Sequence, residues 1–273
     1  MSEAAKYIHG HAPEVLAAHA WRTAARDAAH VLPHIQPSFT VLDVGCGPGT
    51  ISADLAALVP TGRLTCLEIS ESALAAARQT CADRGLSNVG FVAGDVTTRL
   101  PFPDGVFDIV HAHQVIVHLA QPVAALREMR RVLRPGGLVA CKDMVVKTAV
   151  WYPPDPRLAL WEVGIAGTIA ENGADPQMGI RLKAVALEAG FGEDEIDCRG
   201  SCWAFTDREA VDYWGNSWVA RLGIGTELRE RILRGGHATE QAVDDFVGAV
   251  KAWTGEPGAW FGCMHGELLA RKT

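Results

Sequence analysis

The chain has 273 residues, 48% of them hydrophobic and 21% charged, which is ordinary for a globular enzyme. Its 32 acids outnumber its 25 bases, giving a formal charge of −7, and the lack of any basic run argues against a nucleic-acid ligand. No stretch approaches the about 18 apolar residues of a membrane span, and Met1 to Lys6 holds no apolar signal core, so no membrane partner and a cytoplasmic location are expected.

Residues 13–32 are Ala-rich with apolar positions at helical spacing, and read as one or two helices ending near Pro33. Strand one is expected over 39–44. It runs into Gly45-Cys46-Gly47-Pro48-Gly49, and a helix follows from Thr50 to Leu58. Strand two is Arg63 to Glu68, and Ser70 caps a helix over 71–84. Asn88 to Ala93 makes strand three, ending in Gly94-Asp95, and Phe107 to Ala112 makes strand four. A helix over Ala120 to Leu133 is closed by Arg134-Pro135-Gly136-Gly137, and Leu138 to Met144 is strand five. Strands alternating with helices of this length predict βαβ units and a parallel sheet.

After Val150 the rhythm changes. Trp151 to Pro156 reads as a loop, 157–172 and 179–189 as helices, and Glu195 to Phe205 as strand six. Residues 207–253 are helical with glycine interruptions at 223, 225, 235 and 236, and Ala259 to Leu269 is the final strand. The implied organisation is an N-terminal helical lid (1–37), a cofactor-binding core (38–150), cap helices with strand six (151–206), a helical cap insertion (207–256) and a final strand (257–273).

The chemistry sits in Val41-Leu42-Asp43-Val44-Gly45-Cys46-Gly47-Pro48-Gly49-Thr50. The apolar residues suit a strand covered on both faces, and the glycines let the backbone turn and approach a ligand. A dinucleotide fingerprint wants G-x-G-x-x-G, whereas position 50 is Thr, so the loop is of the E/DxGxGxG type. A carboxylate in such a turn favours a cationic ligand and repels a pyrophosphate. Cys46 acts there as a small residue. Seven cysteines at irregular spacing fit reduced thiols and no zinc set, so no metal is expected. Glu68, at the end of strand two, can accept both hydroxyls of a ribose; its spacing from Asp43 is also close to that of a dinucleotide site.

With Glu68, Gly94-Asp95-Val96, Leu100 to Asp108 and Arg131 to Gly137, this loop resembles the motifs of class I S-adenosylmethionine-dependent methyltransferases, of the UbiE-like group, across residues 38 to 143. The resemblance implies an α/β, seven-stranded Rossmann-like methyltransferase fold of order 3-2-1-4-5-7-6 with N-terminal helices and a helical cap. It implies S-adenosylmethionine as cofactor, with Asp43, the backbone of Gly45, Cys46 and Gly47, and that of Ala112 and His113 near the methionine part. Asp95 would take the adenine amino group, with Gly94 beside it, and Ile69 and Val96 would sandwich the ring. Gln114 would border the reacting centre.

Three side chains are candidates for a general base toward an oxygen or nitrogen acceptor: His113 first, then Asp143, then His118. His118 also reads as a group packed or hydrogen-bonded inside the domain, and Asp143 as a structural hydrogen-bonder. His11, Trp21, Trp214, Trp218 and His237 are candidates for the acceptor pocket, since aromatic walls suit an apolar or planar ligand. The expected activity is methyl transfer to a small molecule, a secondary metabolite or quinone-like ring, on O, N or C. The alternatives are a non-catalytic cofactor-binding module and a nicotinamide oxidoreductase. Monomer and homo-oligomer both remain open.

Overall fold

The computed structural model describes residues 21–273. Its elements run α1 (Ala24–Asp27), β1 (Thr40–Val44), α2 (Thr50–Leu58), β2 (Arg63–Glu68), α3 (Glu71–Asp83), β3 (Val89–Ala93), β4 (Phe107–His113), α4 (Pro122–Val132) and β5 (Leu133–Met144). There follow β6 (Val150–Tyr152), α5 (Leu160–Glu171), α6 (Leu182–Glu188), β7 (Ile196–Phe205), α7 (Arg208–Arg221), α8 (Glu227–Arg234), α9 (Glu240–Thr254) and β8 (Trp260–Arg271).

The sheet has the order β3-β2-β1-β4-β5-β8, with β6 and β7 both pairing β8. The first five strands are parallel and β8 runs antiparallel to its partners. The expected order 3-2-1-4-5-7-6 is therefore present, with β8 and β7 in the last two places. An eighth strand is added. Val150, Trp151 and Tyr152 pair with Gly262, Phe261 and Trp260, continuing the edge of β8 that β5 occupies up to Met144. The prolines after Tyr152 read as a loop signal, yet a three-residue strand ends before them.

Neighbouring strand residues point to opposite faces, so the doubly covered sheet builds two cores. Leu42, Val44, Val110, Ala112, Val139 and Cys141 pack with α4 and α6 and merge with the aromatic cap. Val41, Leu64, Cys66, Ile109, Leu138 and Ala140 pack on the other face with α2, α3 and the segment Ala24–Val31.

Local chemistry explains most element ends. Ser70 accepts from the Ala73 amide, Asp207 from Ala210 and Thr239 from Ala242, capping α3, α7 and α9. The glycine interruptions separate α7, α8 and α9 as expected. Strand five starts earlier than expected, at Leu133. Arg134-Pro135-Gly136-Gly137 is drawn into it across a register shift, with Gly136 at φ +79°. The helical pattern of 13–32 yields only the short α1 and a 3₁₀ turn at Leu32–His34 among the described residues.

Candidate active site

Gly45, Gly47 and Gly49 have φ of +64°, +53° and +78°, a region that side chains rarely tolerate. A Cβ on Gly45 would also lie 2.5 Å from Val115 Cγ2, and one on Gly49 would lie 2.8 Å from the Ala77 Cβ. The loop is therefore pinned between the end of β4 and helix α3.

Glu68 holds the loop from the next strand. Its carboxylate accepts from the amides of Gly47 at 3.0 Å, Ile69 at 2.8 Å and Ser70 at 3.2 Å. Ile69 beside it is 41% exposed, an apolar side chain left open at the crevice. On β3's end, Asp95 Oδ1 accepts from the Thr97 amide and hydroxyl at 2.8 and 2.7 Å, which leaves its Oδ2 outside these bonds. Gly94 packs close to Leu67 and Leu100, and Val96 is buried with them in the main core, so its placement is that of a core residue.

Asp43 differs from its expected placement. It is buried and both oxygens are taken: Oδ2 accepts from the Ser52 hydroxyl at 2.5 Å, and Oδ1 lies 2.7 Å from His111 Nδ1. It ties β1, α2 and β4 together beneath the loop. The Cys46 thiol is pushed up: a hydrogen bond from Cys66 favours its thiolate, but burial and the carboxylates of Asp43 and Glu68 outweigh it. A neutral thiol fits its reading as a small loop residue.

At the end of β4, Ala112 is buried and Gln114 is the one non-glycine with positive φ among the described residues, at +56°. Its backbone amide donates to the Lys142 carbonyl. Its side-chain amide is buried and has no hydrogen-bond partner among the described residues, although such groups are normally satisfied. That amide faces a cavity whose walls include Trp21, Trp161, Trp203, Phe205, Tyr213, Trp214 and Trp218. The rings form a connected set: Trp21 stacks on Tyr213 at 4.6 Å and Phe205 on Trp214 at 4.6 Å. Asp27, His118, Met144 and Ile165 complete the lining, with Arg22, Arg26 and Arg221. The space open to water inside it is about 40 Å³, room for roughly three waters.

The three candidate bases part company here. His118 lines the cavity; burial, then the charges of Arg22 and Arg231, depress it to about 3. His113 is not on the cavity wall. It sits behind it, with Nε2 3.8 Å from Asp27 Oδ1 and its ring 5.9 Å from that of Trp203. Burial, then Arg22 and neighbouring histidines, holds it well below the usual range. Asp143 is fully buried away from the cavity, and its Oδ1 accepts from the Val117 amide at 3.0 Å. Burial raises it to about 8 against the pull of the Val115–Val117 amides. It buttresses the turn after β4.

Of the pocket candidates, Trp21, Trp214 and Trp218 line the cavity. His237 does not. Its Nε2 is 2.8 Å from Glu171 Oε1 and its ring lies against Gly167 and Gly235, on the cap. His11 falls outside the described residues. The sequence reading missed Asp27 and Arg221, which carry no motif, and Trp161, whose helical surroundings look like core. Only three-dimensional convergence marks them.

The set fits a nucleoside with a cationic side chain better than a pyrophosphate. Glu68 and Asp95 are carboxylates at the ends of the neighbouring strands β2 and β3, and the glycine loop lets a ligand approach its backbone closely. Among the described residues no group of His, Cys, Asp and Glu could hold a metal ion.

Comparison with known proteins agrees. Residues 35–166 match a family described as "Methyltransferase domain". An uncharacterized methyltransferase of Schizosaccharomyces pombe is 36% identical over 245 residues, covering 88% of this chain and 83% of that protein. The ubiquinone/menaquinone biosynthesis C-methyltransferase UbiE of Burkholderia cenocepacia is 34% identical over 196 residues, 71% of this chain and 77% of that one. Among solved structures, one described as a putative methyltransferase from Bacillus halodurans shares the fold, with TM-score 0.58 and 21% identity over 90% of this chain and 98% of that one. The chain belongs to the class I S-adenosylmethionine-dependent methyltransferases.

Proposed function

We propose that the chain methylates a small, planar acceptor held in the aromatic cavity, as a member of the UbiE-like group. The carrying observation is the buried amide of Gln114, without a hydrogen-bond partner among the described residues, which lines a cavity walled by seven aromatic rings and adjoins Val115, the residue packed against Gly45 of the glycine loop.

In this reading Glu68 takes the ribose hydroxyls, Ile69 covers one face of the adenine, and Asp95 Oδ2 meets its amino group. Backbone atoms of Gly45, Cys46 and Gly47, with those of Ala112 and His113, hold the amino-acid end. Asp43 serves from beneath, through Ser52 and His111. When bound, the cofactor supplies an electrophilic sulfonium methyl. The protein's share is alignment, which alone supplies a large part of such a rate. The aromatic rings fix the acceptor's plane, Gln114 fixes its edge, and the rings exclude water. His118, held neutral, accepts a hydrogen bond from the acceptor rather than acting as a strong base. Seven unbridged cysteines fit a reducing, cytoplasmic setting.

The test is methyl-labelled cofactor incubated with hydroquinones, phenols and aromatic acids. Label in a ring product with release of S-adenosylhomocysteine is expected. Cofactor binding with no transfer to any member of the panel would favour a non-catalytic module.

A further inference from the structure

Few side chains on the described wall of the acceptor cavity are able to take up a proton. Arginines are already cations, burial pushes the Tyr213 phenol up, and neither the Gln114 amide nor the tryptophans are bases. His118 accepts a hydrogen bond, but burial, then the charges of Arg22 and Arg231, depress it to about 3. Asp27 is the carboxylate on this wall among the described residues. It is 1% exposed and makes no ion pair with Lys or Arg among those residues, although buried carboxylates are normally paired. Its oxygens accept one bond each, Oδ1 from Trp203 Nε1 at 3.0 Å and Oδ2 from the Thr23 amide at 3.0 Å. A carboxylate has about four acceptor sites, so each oxygen keeps one open. Behind it, His113 Nε2 lies 3.8 Å from Oδ1, and neither ring nitrogen of His113 has a hydrogen-bond partner among the described residues.

We propose that Asp27 is a catalytic residue, which accepts the O–H of a ring hydroxyl on the acceptor and takes that proton as the methyl group reaches the oxygen. This rests on reading the cavity as the acceptor site. One O–CH3 bond forms, the S–CH3 bond breaks, and the hydroxyl proton passes to Asp27, giving a methyl ether, S-adenosylhomocysteine and a neutral carboxyl. A bond from O–H to a carboxylate is charge-assisted, so Asp27 outcompetes His118 for the reacting hydroxyl and leaves His118 to a second polar group of the acceptor. His113 is a positioning residue. Burial above all holds its ring neutral, so Nε2 is free to accept from the protonated Asp27 until the product leaves and water takes the proton.

The experiment titrates the protein, saturated with S-adenosylhomocysteine, with para-cyanophenol and with its methyl ether para-cyanoanisole, at a pH that keeps the phenol neutral, reading quenching of the cavity tryptophans. Methylation of the phenol is followed with methyl-labelled S-adenosylmethionine. The phenol is expected to bind about tenfold tighter than the ether or more, the scale of a hydrogen bond to a charged acceptor. Asp27→Asn is expected to lower kcat by about a hundredfold or more, with a far smaller change in KM and with S-adenosylhomocysteine affinity kept. His113→Phe is expected to lower kcat without moving KM, a split that loss of structure alone would not give. Equal binding of the two probes, or tighter binding of the ether, overturns the proposal even where a variant does not fold. So does a phenol that binds wild type and is never methylated, or wild-type kcat in Asp27→Asn. If neither probe binds the loaded protein, the acceptor-site reading itself falls.

Discussion

Trp203 Nε1 donates to Asp27 Oδ1 at 3.0 Å, joining strand β7 to helix α1 across 176 residues of sequence. The bond closes one wall of the cavity, and Asp27 also accepts from the Thr23 amide at the start of α1. Asp27→Ala leaves a buried indole N–H without its partner. It is expected to destabilise the protein by about 1–3 kcal/mol and to weaken acceptor binding. Asp27→Asn, which keeps an acceptor oxygen, is expected to recover part of both losses. Thermal melting and probe titration check the pair.

Asp143 is expected to be structural. Asp143→Asn keeps an oxygen for the Val117 amide and removes a group that burial holds near 8. A carboxyl raised by folding stays neutral in the folded protein while it is ionised in the unfolded chain, so the stability it contributes is lost progressively as pH rises from about 4 to about 8. Asp143→Asn, which is neutral in both states, should therefore escape that loss, with its full advantage over wild type reached by pH 8, and keep its turnover. A loss of turnover of about a hundredfold or more, the scale of a missing general base, would restore Asp143 as the base.

Buried histidines set the acid limit. His30 is lowered to about 4 by burial and by His111, and His265 to about 3 by burial and Lys142; His113 and His118 are lowered too. Each folds neutral and takes up a proton on unfolding. Their contribution is complete above about pH 6.5 and is lost as pH falls toward the folded values. Asp143 titrates in the opposite sense and cancels one of the four. Stability should fall from pH 6.5 to 4, at roughly 1.4 kcal/mol per pH unit for each uncancelled proton. Chemical denaturation across that range checks it. The same shifts predict that kcat/KM shows no histidine limb near 6.5.

Much of this architecture could be read from residues 38–144 alone. The strand ends, the glycine loop and Glu68 are local features, because turn chemistry and two-face burial write themselves into neighbouring positions. Asp43 shows the limit of such reading. A carboxylate in the right motif position is engaged by Ser52 and His111, and its partners come from another helix and strand. The cavity was less accessible still. Trp161, Trp203 and Arg221 converge from three elements, and a tryptophan's spacing does not separate a pocket wall from a core. The short β6 escaped because three residues carry no periodicity.

The account stands on Glu68 and the glycine loop it holds. Calorimetric titration with S-adenosylhomocysteine and with NAD, on wild type and on Glu68→Ala, tests it most directly. The account predicts that wild type binds the first ligand and not the second, and that Glu68→Ala loses about 1–3 kcal/mol of that binding. Undiminished affinity in Glu68→Ala, or preference for NAD, would contradict it.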